Sequence, residues 1–341
     1  MAIDRVLLAS PRGFCAGVEM AIKALAWLVR SCDAPVYCFH EIVHNKIVVD
    51  RFASLGVVFV NDIAEVPVGS PLMLSAHGSA PEVVAAAHRT GSYVVDSVCP
   101  LVTKVHHEVK VRAGKGFQIV YVGHDGHEEA EGTIAVAPLS MNRVESVAEV
   151  LALPQFDGPV ALLAQTTLSH RDWASVQQAT LDRFPNAWTP GRSDLCFATT
   201  NRQSALMQIA PRCDAMVVIG SSNSSNTRAL EKLAIESGCA RVYRVNTAEE
   251  LPADLHGVVG VTAGASAPEE LVEAVLAKLS PLHGVEHVSV TEEDEYFPPP
   301  RNIRELQSTL DLAMSVLLGG TPGRFDDRKV KASDVLAALS N

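Results

Sequence analysis

The sequence predicts an α/β protein of three modules, related by a pseudo-threefold repeat and containing mainly parallel sheets. One reason is a duplicated loop, SAHGSAPE at 75–82 and TAGASAPE at 262–269. Another is a series of nine short apolar runs, each followed by a polar loop and a helical pattern, which is typical of parallel strands covered by helices. The third is a cysteine that recurs between a strand-like and a helix-like run. These cysteines are Cys15, Cys99 and Cys196.

The first module is predicted over residues 1–99. Its opening segment RVLLAS has the apolar content of a strand, and we expect that this strand can pack with the third module. PVYCFHEIV and SPLMLSAHGSAPEVV follow as further strands that end in polar loops. These loops contain His44 and His77, and the duplicated copy of the second loop has Gly264 where the first has His77.

The second and third modules, predicted over residues 100–191 and 192–284, repeat this order. FQIVYVG precedes HDGHEEAEGT, AMVVIG precedes SSNSSNTRALEKL, and the last loop of the second module is AQTTLS. Counted to His44, His127 and Ser225, the first polar loop lies 28 or 29 residues after each cysteine. Such regular spacing indicates a true repeat rather than chance.

The polar loops supply the candidate site residues, since parallel crossovers place these loops at the carboxyl ends of the strands, where ligands of open α/β sheets bind. If the modules pack about a pseudo-threefold axis with those ends inward, the cysteines and the loops meet at one place. The candidates besides the cysteines are His44, Asn45, His77, Ser79, His127, Glu129, Thr166, Thr167, Ser224, Ser225, Asn226 and Ser266.

Residues 285–341 are predicted to form a C-terminal extension. TEEDEYFPPPRN is acidic and rich in proline, so it cannot form a long helix. IRELQSTLDLAMSVLLGG has apolar spacing that favours a helix, and the final KASDVLAALSN is expected to be short and poorly ordered. The sequence assigns no role to residues after about 297.

Composition narrows the class of protein. The net charge of −11 disfavours nucleic-acid binding, which requires a basic surface, but it leaves room for a local site that binds a small anion. We expect no membrane span, because no apolar run approaches the roughly 18 residues that are needed. A cytoplasmic protein is therefore predicted.

The cysteines indicate metal chemistry. There are seven, and none forms a CxxC pair, so the commonest zinc and redox motifs are absent. Three convergent thiolates suit a zinc ion with an open position, although an all-cysteine set is unusual there. They also suit an iron–sulfur cube in which one iron lacks a protein ligand, whereas a lone cysteine is most often a small buried hydrophobe. We expect the latter for Cys32, Cys38, Cys213 and Cys239.

The polar loops have two interpretations each. NSSN before TRALEKLA would bind phosphate at a helix start, but serine and asparagine are also ordinary helix caps. His127 with Glu129 is suited to proton delivery beside a metal, while HEEAEG is equally consistent with a solvated acidic turn.

Nine motifs together resemble the 4-hydroxy-3-methylbut-2-enyl diphosphate reductase family, over about residues 11–271. They are PRGFCAGVEMAI, HEIVHNKIVVD, SAHGSAPE, DSVCPLVTKVH, GHEEAEGT, AQTTLS, DLCFATTNRQ, GSSNSSNTRALEKLA and VTAGASAPEEL. The resemblance implies three α/β modules around a central iron–sulfur site, with one [4Fe–4S] cluster per chain. It implies that Cys15, Cys99 and Cys196 are the three ligands and that one iron is open.

The resemblance also assigns the loop residues. His44, His77 and His127 would face the substrate, Glu129 and Thr166 would lie near its hydroxyl, and His127 would join them in catalysis. Diphosphate binding would fall to Ser224, Ser225, Asn226 and Ser266. The family usually has proline after the histidine of GHEEAEGT; here Glu128 follows, so two glutamates compete for the acid role, and the spacing from His127 favours Glu129.

The implied reaction is a reductive dehydroxylation of an allylic diphosphate with two electrons and two protons. It gives isopentenyl and dimethylallyl diphosphate in the methylerythritol phosphate route to isoprenoids. The implied electron donor is a protein such as ferredoxin or flavodoxin. Two other functions stay open at this point: a zinc-dependent phosphohydrolase, and a non-catalytic iron–sulfur sensor that binds a diphosphate.

Overall fold

A computed structural model describes residues 2–91, 93–318 and 326–339 of the chain. Helices and strands alternate along these residues, which confirms the predicted α/β class. The strands are β1 (Ile3–Ser10), β2 (Val36–Phe39), β3 (Val57–Val60), β4 (Pro71–Leu74), β5 (Tyr93–Asp96), β6 (Gln118–Val122), β7 (Met141–Val144), β8 (Val160–Ala164), β9 (Ala215–Ile219), β10 (Val242–Val245), β11 (Gly257–Ala263) and β12 (Val285–Ser289). The α-helices are α1 (Ala16–Ser31), α2 (Lys46–Ser54), α3 (Pro81–Thr90), α4 (Pro100–Gly114), α5 (Glu128–Ile134), α6 (Val147–Ala152), α7 (His170–Arg183), α8 (Phe197–Ile209), α9 (Ser225–Glu236), α10 (Glu269–Leu279), α11 (Arg301–Leu318) and α12 (Ala332–Leu339).

The chain divides into two compact units, each made of two segments. The first unit comprises Met1–Cys15 and Pro100–Asp294, and the second comprises Ala16–Cys99 and Glu295–Asn341. Three parallel sheets result, two in the first unit and one in the second. The number of sheets matches the number of modules that the sequence repeat predicts, while the module boundaries stay a prediction.

The first unit contains a five-stranded sheet in the order β10-β9-β11-β1-β12 and a three-stranded sheet in the order β7-β6-β8. Their central strands are continuous apolar runs, as expected when helices cover both faces of a parallel sheet. Every residue of β8 and β9 is buried. β1 lies between β11 and β12, with Leu8 opposite Val261 in one pairing and opposite His287 in the other. The third module's sheet is thus completed by the start of the chain.

β12 is a strand that the sequence did not predict. Its residues Val285 to Ser289 are only partly buried or exposed, because the strand lies at the edge of the sheet and has only two apolar side chains, Val285 and Val288. Such an edge strand lacks the apolar run by which the central strands were found.

The second unit contains a four-stranded parallel sheet in the order β3-β2-β4-β5. The helix predicted in the extension is present as α11, and residues 319–320 of that prediction lie outside the described residues. The final segment differs from expectation over its described residues, since 332–339 form α12 against α1 with Leu336 fully buried, and residues 340–341 lie outside the described residues. A buried ion pair between Lys23 and Asp327, at 2.6 Å, holds the preceding turn on α1.

All strand pairs in the described residues are parallel, so the loops that follow the strands lie along one edge of each sheet. This edge carries the candidate site residues of each unit. Among the described helices, none is both long and apolar enough to cross a bilayer.

Candidate active site

Each predicted metal-ligating cysteine is held by the same backbone hydrogen bond. Its N–H donates to a carbonyl in the last polar loop of a module, two residues beyond the end of the strand that precedes that loop. The three pairs are Cys15 with Ala265 at 3.2 Å, Cys99 with Ala76 at 3.0 Å, and Cys196 with Thr166 at 3.0 Å. The last polar loop of every predicted module therefore supports one of the three cysteines.

Strand pairing explains this recurrence. The segments that lead to the cysteines each pair in parallel with the strand whose loop they contact: β1 with β11, β5 with β4, and Trp188 through a single bridge with Ala161 of β8. Two adjacent parallel strands end at the same edge, so the loops that follow them meet.

The same bond gives a different alignment of the duplicated loop. The residue after the bonded carbonyl is His77 in the first module, Thr167 in the second and Ser266 in the third. By structure, His77 therefore corresponds to Ser266 and not to Gly264. Position 264 is glycine because a Cβ there would lie 2.2 Å from Oγ1 of Thr227, on α9.

Cys196 lies at the start of α8 and caps that helix. Its Sγ accepts from the Thr199 N–H at 3.2 Å and is 3.0 Å from the Thr199 hydroxyl oxygen. Burial raises the pKa of the thiol to about 11, and the nearby Cys15 adds to the increase. Such a thiol is a poor nucleophile at neutral pH, but a bound metal would deprotonate it.

These donors fit an iron–sulfur cluster. Two cysteines of the first unit lie close enough to repel each other as thiolates, and donors around one of them would stabilise a ligated sulfur. Cys99, in the second unit, follows a segment held to the adjacent strand: the Ser97 N–H and hydroxyl both donate to the Leu74 carbonyl, at 3.1 and 2.6 Å.

The loop that carries Cys15 is shaped by a glycine. Gly13 has φ of +67°, and a Cβ there would approach the Ala267 carbonyl oxygen to 3.2 Å. The Gly13 N–H donates to the Ala263 carbonyl, and the Arg12 guanidinium is paired with Glu269. The motif PRGFC thus needs glycine for both its backbone conformation and its close approach to the loop after β11.

Glu129 and Thr166 form a buried pair in the first unit. The Thr166 N–H donates to Glu129 Oε1 at 2.7 Å and its hydroxyl to Oε2 at 3.0 Å, and both residues are at most 5% exposed. Burial raises the pKa of the Tyr121 phenol, and the charge of Glu129 raises it further. Of the two adjacent glutamates, Glu129 is thus the one bonded to Thr166, while its acid role stays a prediction.

His127 caps the helix that carries Glu129. Its Nδ1 accepts from the Glu129 N–H at 3.1 Å, which means that this nitrogen has no proton. The neutral ring therefore carries its proton on Nε2. Since residue 127 lies at the helix start and residue 129 in the first turn, a single turn of α5 supplies a donor ring and a carboxylate.

The start of α9 has the features of an anion site. Ser224 caps the helix by accepting from the Thr227 N–H at 3.3 Å. Both polar atoms of the Asn226 amide are buried without a hydrogen-bond partner, which points to a ligand that would satisfy them. The Ser225 hydroxyl oxygen lies 3.4 Å from Nδ1 of His124, whose pKa is lowered mainly by burial.

In the second unit, His44 and His77 stack with ring centroids 4.0 Å apart and planes at 8°. Glu41 lies 3.5 Å from Nδ1 of His44, and the Ser75 hydroxyl oxygen lies 3.4 Å from Nδ1 of His77. His44 and His77, both predicted to face the substrate, are therefore in direct contact through their rings.

The predicted site residues therefore fall into two groups. Those of the first unit are Cys15, Cys196, His127, Glu129, Thr166, Ser224, Ser225, Asn226 and Ser266, and those of the second unit are Cys99, His44 and His77. Sequence reasoning missed His124 and Gln165. Gln165 accepts from the His124 N–H at 2.9 Å and donates to the Thr167 hydroxyl at 3.0 Å, so it joins the two polar loops of its module. Its place at the end of a strand, next to Thr166, was the available signal.

Comparison with known proteins gives matches over the part of the chain that contains the predicted site residues. A family model described as LytB protein matches residues 6–280. The 4-hydroxy-3-methylbut-2-enyl diphosphate reductase of Methylocella silvestris is 44% identical over 308 residues, which cover 88% of this chain and 96% of that protein. The protein of that name from Beijerinckia indica is 43% identical over 311 residues, covering 89% and 98%.

A solved structure is similar as well. The E-1-hydroxy-2-methyl-but-2-enyl-4-diphosphate reductase of Plasmodium falciparum superposes with a TM-score of 0.86 at 31% identity, covering 91% of this chain and 99% of that chain.

Proposed function

The chain belongs to the LytB protein family, and from this premise we propose that it is a 4-hydroxy-3-methylbut-2-enyl diphosphate reductase. This enzyme is an oxidoreductase of the non-mevalonate route to isoprenoids. It removes the allylic hydroxyl of its substrate as water, with two electrons and two protons, and yields isopentenyl and dimethylallyl diphosphate.

The family's cofactor is an iron–sulfur cluster, and we assign it here as one [4Fe–4S] cluster with Cys15, Cys99 and Cys196 as ligands and one open iron. When bound, the cluster supplies electrons and a Lewis-acidic iron. The sulfur-directed donors at Cys196 and the loop carbonyl behind each cysteine support this ligand set.

The diphosphate is assigned to two sets of side chains. In the first unit, Ser224, Ser225, Asn226 and Ser266 offer hydroxyls, an amide and first-turn N–H groups, where anions are favoured. In the second unit, the imidazoles of His44 and His77 can donate N–H bonds to phosphate oxygens. The buried Asn226 amide without a protein partner is the observation that favours a ligand over simple helix capping.

The observation that carries the catalytic proposal is the Glu129–Thr166 pair. A buried carboxyl group bonded to a threonine hydroxyl at 3.0 Å can pass a proton through that hydroxyl to the substrate oxygen as it leaves. The hydrogen bond from the Thr166 N–H to Oε1 of Glu129 fixes the orientation of that carboxyl group. His127, with its proton on Nε2, adds a second donor from the same turn of helix.

Two further assignments complete the proposal. We assign the electron donor as a small redox protein such as ferredoxin or flavodoxin, because every turnover consumes two electrons that must be replaced from outside the chain. A cytoplasmic location stays a prediction.

The test is an anaerobic assay of the purified chain with the 4-hydroxy diphosphate and a low-potential reductant. We expect a brown protein that contains iron and sulfide and that converts the substrate to both products with consumption of two electrons. Inorganic phosphate as the product, with zinc in the protein, would instead identify a phosphohydrolase. Tight binding of the substrate without any turnover would identify a sensor.

A further inference from the structure

Arg202 is a fully buried cation outside the site described so far. It lies on α8 at 0% exposure, and every bond that it makes stays within the first unit. Its Nε and Nη2 donate to the Gly13 carbonyl at 3.0 and 2.7 Å, and Nη2 also donates to the Phe14 carbonyl at 3.2 Å. Nη1 donates to the Ala198 carbonyl at 2.8 Å and to both carboxylate oxygens of Glu293, at 3.0 and 3.1 Å.

A buried guanidinium of this kind requires a specific set of partners. Burying an unpaired charge is strongly unfavourable, which is why such groups are rare unless they are paired and hydrogen-bonded. Here one carboxylate balances the charge, and carbonyl oxygens take the remaining donors. The partners are also distant in sequence, since residue 202 joins residues 13–14 to residue 293.

The bonded carbonyls place Arg202 next to the cysteines. Gly13 and Phe14 immediately precede Cys15, while Arg202 follows Cys196 by less than two turns of the same helix segment. One rigid side chain therefore connects the loop that carries Cys15 to the helix that begins after Cys196.

We propose that Arg202 and Glu293 form a clamp that positions the Cys15 loop against α8, so that Cys15 and Cys196 can ligate one cluster. This proposal rests on the proposed function, because it concerns retention of the family's iron–sulfur cluster. Arg202 acts as a positioning residue, because its hydrogen bonds go to the backbone of residues 13 and 14 and not to a sulfur. Its positive charge also favours the thiolate form of Cys196, as a secondary effect.

The geometry requires arginine. Three of its nitrogens donate in one plane toward acceptors from three segments, and the planar fork of a guanidinium matches that arrangement. A lysine would keep the charge but place a single nitrogen among these acceptors, and it would lose at least part of the bonding to residues 13 and 14. Charge and position can therefore be separated by substitution.

The experiment compares R202K and E293Q with the unmodified chain and with R244K as a control. Arg244 is a partly buried arginine of the same unit, and its described ion pair is with Glu231 at 2.9 Å, away from the cysteine loops. Two quantities are measured on the protein purified anaerobically: the rate at which a chelator removes iron, and hydrogen exchange of segment 11–15 relative to β9.

For R202K we expect both iron release and exchange of segment 11–15 to be about tenfold faster, with exchange of β9 unchanged. E293Q should shift both in the same direction by about threefold, since the carbonyl bonds stay while the charge partner is lost. R244K should match the unmodified chain within about twofold. If R202K fails to fold, E293Q decides the outcome.

Unchanged exchange of segment 11–15 in the folded variants would overturn the clamp. Faster exchange with unchanged iron release would overturn its role in holding the cluster. An unmodified chain that contains no iron or sulfide would overturn the proposed function, and the exchange data would then show separately whether Arg202 positions the loop.

Discussion

The candidate residues of the first unit and those of the second unit are held in different ways. In the first unit, Glu129, His127 and Cys196 each have a defined hydrogen-bond partner within the unit, and Glu129 is almost fully buried. In the second unit, His44 and His77 stack on each other, and Cys99 is held by bonds to the adjacent strand's end and loop. Buried groups whose orientation is fixed by hydrogen bonds are suited to proton transfer, whereas a pair of imidazole rings is suited to binding an anion. We therefore assign the proton-transfer groups to the first unit, whereas the groups assigned to the diphosphate come from both units.

Removal of a proposed cysteine ligand should have the same effect on iron content and turnover in either unit. Cys15→Ser and Cys99→Ser should each lower turnover by roughly a hundredfold or more, because each removes a proposed ligand and not merely its support. The measurements are iron content and turnover under anaerobic conditions. Cys213→Ser in the first unit and Cys32→Ser in the second are matched controls that should keep both. Full activity in Cys99→Ser would separate the second unit from the cluster.

Glu129→Gln should impair the chemical step assigned to the first unit without loss of the cluster. It keeps the shape and one acceptor for Thr166 but removes the acidic proton, so we expect turnover to fall about 100- to 10,000-fold with the visible absorption of the cluster retained. Glu128→Gln serves as the control. Near-normal turnover in Glu129→Gln would remove this carboxyl group from the proton path.

His77→Ala should affect binding more than chemistry. Loss of a hydrogen bond to a charged phosphate weakens binding by roughly 1.5–3 kcal/mol, so we expect KM to rise about tenfold to a hundredfold with a smaller change in kcat. Steady-state kinetics measures both. A fall in kcat at constant KM would instead assign His77 to the chemical step. Groups for that step would then lie in both units and not in the first unit alone.

The smallest effect concerns pH. Burial lowers the pKa of His124 below its ordinary 6.5, so the unfolded chain takes up a proton at that position before the folded chain does. This residue therefore contributes stability above about pH 6.5, and the contribution is lost as pH falls through the folded pKa. His124→Gln should remove a few tenths of a kcal/mol from the acid-dependent loss, since the ring is partly exposed and screened.

Urea titrations at pH 8 and pH 5.5 would check this prediction by comparing the change in unfolding free energy in the two proteins. An equal acid-dependent loss in both would show that His124 contributes nothing to the first unit's sensitivity to acid.

Much of the fold was accessible from the sequence, because its strands are dense apolar runs. Val160–Ala164 and Ala215–Ile219 are buried at every position, and such strands stand out in any apolar pattern. The edge strand β12 and the helix α12 were not accessible in the same way. Their burial depends on distant partners, β1 for the strand and α1 for the helix.

For the candidate site too, the sequence reveals residues in local motifs but not those whose role depends on distant partners. Local motifs identified Cys15, Cys99 and Cys196, the histidines, Glu129 and the serines, and the family relationship is confirmed by the comparisons. Arg202 escaped notice because nothing near it in sequence shows that its charge is buried. Its acceptors at residues 13, 14 and 293 reach it only in the folded chain.

The duplicated loop shows where sequence information ends. The repeat by itself predicted related α/β modules, with polar loops after their strands and one of the three cysteines near the start of each module, because these are properties of local pattern. Only the tertiary structure decided which residues correspond: the cysteine N–H bonds pair His77 with Ser266, and Thr227 accounts for Gly264. That pairing depends on how adjacent parallel strands end together, which is a contact between distant segments and has no signature within either copy of the loop.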